Sequence, residues 1–252
     1  MAVTNRRRGI GLILALLAIL ILAGAGVGTW YLFFRSAGPA PVTLPSATPP
    51  ATSGGGATPG AGGGDMAGGV DGTWSVDPSV GSFSDFSGSF VGYRVRETLA
   101  SIGATEAVGR TPGVTGSLTV DGTVVTAAAF TADLTGLESD DPRRDGQLRR
   151  QALETSQYPT ATFTLTSPVD LGTQPVDGTT VDVTATGDLA LHGVTRSVEI
   201  PLQARVDGAV VTITGSLEIA FADFGIASPQ AMIVLSVEDQ GTLELQLQLT
   251  RG

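Results

Sequence analysis

The sequence predicts an all-β fold, an antiparallel sandwich or closed barrel relieved by one short helix and preceded by a transmembrane helix and a disordered linker. Three observations predict it. Apolar and polar residues alternate with period two over most of the chain from Thr73 onward. Asp-Gly and His-Gly pairs punctuate those runs as hairpin turns. A single segment, Pro142 to about Thr155, carries helix signals. With 42% of 252 residues apolar, the chain can bury one sizeable core.

The elements follow in chain order. Residues 1–8 form a basic tail ending in Arg6-Arg7-Arg8, and residues 9–34 are uncharged, about 39 Å long as a helix. Ala23-Gly24-Ala25-Gly26 resembles a leader-cleavage site, but the apolar run continues into Trp30-Tyr31-Leu32-Phe33-Phe34, a cluster suited to a membrane interface. The run therefore reads as an uncleaved single-pass anchor. The arginines before it hold the N-terminus in the cytoplasm, which makes everything after Arg35 extracytoplasmic. Residues 35–72 are dominated by Pro, Ala, Ser, Thr and Gly and read as a flexible linker, roughly 35 Å root-mean-square if a free coil.

Residues 73–252 form the folded domain. Val181, Val183, Ala185, Leu189 and Leu191 share one face, and Val198, Ile200, Leu202 and Ala204 share another, with His192-Gly193 as the turn between the two runs. A two-residue turn at Asp207-Gly208 places Ala204 opposite Val211 and Leu202 opposite Ile213. At Asp121-Gly122 such a turn would put Leu118 and Val120 on the face opposite to Phe130, so a longer loop or a bulge is expected there. The helix takes Asp140 or Asp141 as its cap and Pro142 in its first turn. In the last strand Leu243, Leu245, Leu247 and Leu249 point one way and Glu244, Gln246, Gln248 and Thr250 the other.

Composition excludes several functions. Four of the 14 basic residues flank the N-terminal run and every acid lies at Asp65 or later, leaving ten against 24 and a balance of −14 from there on. Such a surface repels phosphate backbones, so no nucleic acid is expected as partner. The absence of cysteine removes disulfides, thiolate metal sites and a nucleophilic thiol. His192 is the only histidine, and one histidine makes neither a zinc site nor a Ser-His pair without partners that no spacing supplies. Asp140 and Asp141 read as a solvated helix cap. The sequence therefore points to no catalytic residues, no metal and no cofactor.

Four ordered motifs carry a family resemblance. They are Trp74-Ser75-Val76-Asp77; Arg143-Arg144-Asp145 with Leu148 and Tyr158-Pro159-Thr160-Ala161-Thr162-Phe163; Gly187-Asp188-Leu189-Ala190-Leu191-His192-Gly193-Val194-Thr195-Arg196; and Asp223-Phe224-Gly225. From Trp74 to Arg251 the domain resembles the YceI-like family. The resemblance implies a closed lipocalin-like antiparallel barrel in an exported protein, with an apolar lumen that takes an isoprenoid lipid or quinone. The sequence departs from that pattern in lacking a histidine in Asp77-Pro78-Ser79-Val80 and in carrying a tether. Inward residues that would contact such a chain are Phe90, Phe130, Phe163, Leu191, Ile200, Leu202, Ile213, Phe221, Phe224 and Leu245. Inward Ala185, Gly187, Ala204 and Gly215 would leave it room, and Arg144 and His192 are candidate polar contacts. The other reading is a filled barrel serving as an interaction domain of the cell envelope, marked by the lack of a cavity.

Overall fold

A computed structural model describes residues 39–44, 69–100, 103–227 and 234–252. The expected basic tail and anchor, and most of the linker, lie outside these residues. Among the described residues no helix is long and apolar enough to cross a membrane.

The domain is an antiparallel barrel built from β1 (Gly72–Val76), β2 (Phe90–Leu99), β3 (Gly103–Thr111), β4 (Val114–Asp121), β5 (Val124–Asp133), β6 (Glu138–Ser139), β7 (Thr160–Leu165), β8 (Val169–Asp170), β9 (Thr180–Leu191), β10 (Val194–Asp207), β11 (Val210–Ala220), β12 (Val234–Val237) and β13 (Gln240–Arg251). Eight strands close the ring in the order β1-β4-β5-β7-β9-β10-β11-β13, and β13 returns to β1. One edge of β13 is shared: Thr242–Gln246 pair with β2, and Leu249–Arg251 pair with β1. The strands β2 and β1 thus share one edge of the wall, and β3 and β4 pair with them in turn.

The turns hold the registers. At His192-Gly193 both residues have positive φ, 52° and 73°, the conformation a tight hairpin needs, and Leu191 pairs with Val194. The β4–β5 hairpin turns at Gly122-Thr123 and contains the expected bulge: Thr119 faces Ala127 while Val120 faces Val125. The extra residue returns Leu118 and Val120 to the face that carries Phe130. The β10–β11 register differs from expectation. Asp207 pairs with Val210, so Gly208-Ala209 form the turn, Ala204 meets Ile213 and Leu202 meets Gly215. Gly208, at φ 59°, takes the first turn position, which moves the pairing by two and leaves every side chain on its expected face.

Helix α1 (Pro142–Gln147) is capped by Asp141, whose carboxylate accepts the Arg143 amide at 2.8 Å, and runs on as a π-helical turn over Leu148–Ala152. It is shorter than expected and follows β6, which pairs with Gly109 and Arg110 of β3.

The folded domain begins before Thr73. Val70 is 3% exposed, and its carbonyl accepts the Trp74 indole N–H at 2.8 Å. The apolar interior gathers at two ends. One cluster surrounds Trp74 and Leu249; the other, beneath α1, surrounds Leu134, Leu137, Leu153 and Phe224.

The outer wall around β13 is not a solvated polar face. Glu244, Gln246 and Gln248 are all buried, because the 77–89 loop folds back over them. Gln246 Nε2 donates to the carbonyls of Phe86 and Gly88 at 2.9 and 2.8 Å, and Gln248 Nε2 to that of Ser87 at 2.9 Å. The same wall seats residues 39–44 of the expected linker, where Arg94 and Arg110 donate to the carbonyls of Pro39 and Ala40 at 2.7 and 2.9 Å.

Candidate functional site

Between the two clusters the barrel encloses a cavity of about 570 Å³, the size that holds a small organic ligand. Its walls are almost entirely aliphatic and aromatic. Phe130, Phe163, Leu191, Ile200, Leu202, Ile213, Phe221 and Leu245 all line it, along with Ala185 and Ala204. Phe90 and Phe224 do not. On β2 it is Val91, Tyr93 and Val95 that line the cavity, so Phe90 falls on the opposite face. There it packs edge-on against Phe86 and beneath the Arg110 guanidinium, 4.3 Å from its ring centroid. Phe224 closes the cluster under α1 from a 3-10 turn, Phe221–Phe224.

The cavity stays open through pairings between strands. A Cβ on Gly116 would sit 2.7 Å from Phe130 and one on Gly241 2.9 Å from Phe221, and one on Gly187 or Gly109 would collide with the ring of Phe163 or Tyr93. Each ring covers a glycine of the neighbouring strand, which brings it against the wall. Leu202 covers Gly215 in the same way. The room expected above Gly187 and Gly215 is thus taken by neighbouring side chains, and the lumen gains the volume those side chains vacate.

The two ends differ. At one, Trp74 is 1% exposed and shuts the barrel with Val70. At the other, under α1, the lining acquires Glu97, Asp141, Arg143, Arg144 and Gln147. Arg144 is held by Glu97 at 2.8 Å and by Asp140, so its charge is neutralised within the protein. Asp145 is buried and accepts both the amide and the hydroxyl of Ser139, at 3.0 and 2.6 Å, fixing α1 to β6. Among the described residues the Tyr93 hydroxyl is buried there without a partner, and burial pushes its pKa up, so it stays protonated.

His192 lies outside the lining. Its Nδ1 meets the Phe224 carbonyl at 3.1 Å, its Nε2 meets Glu154 at 3.0 Å, and its ring packs on Tyr158 with centroids 4.6 Å apart. Its role is to tie the β9–β10 turn to the chain after α1 and to the 3-10 turn.

Glu97 and Tyr93 were not among the residues singled out from the sequence. The signal was present, because Val91, Tyr93, Val95, Glu97 and Leu99 share one parity. The eye is drawn instead to Phe90, a large ring one step out of phase.

Residues 74–249 match the family model described as the YceI-like domain, and the chain therefore belongs to this family. Among solved structures it is similar to a polyisoprenoid binding domain from Saccharophagus degradans, with 20% identity, a TM-score of 0.55, and coverage of 71% of this chain and 98% of that one. It is also similar to BcnA of Burkholderia cenocepacia, with 20% identity, a TM-score of 0.49, and coverage of 69% and 98%. A YceI protein of Campylobacter jejuni matches at 18% identity and a TM-score of 0.46, covering 57% and 84%. No curated protein matches.

Proposed function

We propose that this member of the YceI-like family binds a single isoprenoid chain, as a quinone or polyprenyl lipid, inside its lumen and sequesters or carries it. The observation that carries the reading is the cavity itself, some 570 Å³ of aliphatic and aromatic wall in a barrel that side chains could otherwise have filled. The solved domain from Saccharophagus degradans, described as polyisoprenoid binding, supports the same ligand class. A filled interaction barrel would have no such space. We assign binding and no catalysis, because the lining's charged groups gather at the α1 end, where Arg144 is paired with Glu97 and Asp140 and the Asp141 carboxylate caps the helix. The N-terminal run of residues 9–34 is assigned as the membrane anchor, with the barrel on the extracytoplasmic side, on the sequence pattern alone.

Apolar burial, about 0.8 kcal/mol per CH₂ group, would drive binding. Titration with quinones of increasing isoprenoid length should show affinity rising at least about tenfold per five-carbon unit until the lumen is full. It should be unchanged between low and high salt. Affinity that ignores tail length and falls with salt would instead point to a charged head group as the determinant.

A further inference from the structure

We infer that the barrel's outer wall carries a built seat for an extended proline-bearing segment, and that the chain's own residues 39–44 occupy it as a strap. The seat consists of Arg94, Arg110 and Glu244, which project from β2, β3 and β13 on the side away from the lumen and are nevertheless 9%, 4% and 3% exposed. Glu244 accepts from Arg94 Nε at 2.8 Å and from Arg110 Nη2 at 3.1 Å. Glu106 takes a second nitrogen of Arg94. Arg110 packs against the rings of both Phe86 and Phe90, 4.5 and 4.3 Å from their centroids. Each guanidinium is thus fixed in place with an N–H aimed outward, and those N–H groups meet the Pro39 and Ala40 carbonyls.

The segment suits that role. Pro39-Ala40-Pro41 is the sole Pro-x-Pro of residues 35–72. Two prolines fix φ, and the residue before Pro41 is driven to an extended conformation, so the strap arrives ordered. A polyproline-type chain makes no internal hydrogen bonds, which leaves its carbonyls free to accept. Pro39, Val42 and Leu44 are half-buried while Ala40, Pro41 and Thr43 are exposed, and Pro39 and Val42 lie three apart, the spacing of one polyproline turn.

The consequence lies in the length of free chain. With the strap seated, three residues, Ser36 to Gly38, separate Arg35 from the barrel's wall. With it released, about 37 residues separate the two. The seat therefore sets how much chain lies between residues 9–34 and the barrel, independently of what the lumen binds.

The test uses the full chain in lipid nanodiscs. Because the protein has no cysteine, T43C can be labelled with a nitroxide and its motion read by electron paramagnetic resonance, with T58C as the comparison within the same linker. The seated strap predicts a slow-motion component at position 43 that is absent at 58. It should be lost in the P39G/P41G background, which leaves the barrel untouched, and in R110Q, checked for folding by circular dichroism. Free motion at position 43 from the outset would overturn the proposal. So would a restrained signal that survives both changes, or one that vanishes when each nanodisc holds a single chain, which would place a second copy's segment in the seat.

Discussion

Single side chains decide whether this barrel has an interior. Phe163 covers Gly187 so closely that a Cβ there would collide with its ring. Gly187→Ala should push the ring into the lumen, lowering stability by about 1–3 kcal/mol through overpacking and weakening isoprenoid binding in the same variant. Thermal denaturation and ligand titration read the two effects; stability and binding both unchanged would show that the ring does not need the glycine. On the outer wall the deciding residue is Glu244, shared by two buried arginines. Glu244→Ala leaves both guanidiniums without their common counter-charge and should cost about 3–5 kcal/mol, seen as a lower Tm. A loss below about 1 kcal/mol would mean that water reaches the cluster, as at a surface ion pair.

At the scale of the elements, register comes from turns and one bulge. Deleting Thr126 removes the extra residue between Val125 and Ala127 and forces either Leu118 and Val120 or Phe130 to the wrong face. The expected outcome is a chain that fails to reach the cooperative native transition in calorimetry; a native-like transition would show that the hairpin can slip without loss. This element was readable in advance, because the parity of Leu118 and Phe130 conflicts unless a residue is added. The β10–β11 turn was readable as to faces but not as to register. Asp207-Gly208 and Gly208-Ala209 turns give the same alternation, and only the φ of 59° at Gly208 separates them. Helix α1 was legible from its Asp141 cap and Pro142. Its change to a π-helical turn at Leu148 has no counterpart in the sequence pattern.

For the molecule as a whole, the alternation that marks a wall does not say what lies beyond it. Glu244, Gln246 and Gln248 alternate with the inward leucines of the last strand, and they do face outward. The 77–89 loop and residues 39–44 nevertheless cover that side, giving the barrel a polar outer layer that no periodicity encodes. Phe90 was misassigned to the lumen for the same reason, since a large apolar residue can be buried on either side of a covered wall. The cavity was likewise beyond the reach of the pattern. Inward Phe, Leu and Gly serve a filled and a hollow barrel equally, and the difference lies in which ring rests on which glycine across the strands. On that cavity rests the central proposal, that the lumen is a site for one isoprenoid chain. The most direct test is native mass spectrometry of the full-length protein released from detergent, with extraction and identification of any lipid that accompanies it. The account predicts one isoprenoid per chain, retained on purification or taken up on adding a long-tailed quinone. A barrel that emerges empty and refuses both quinones and polyprenols would contradict it.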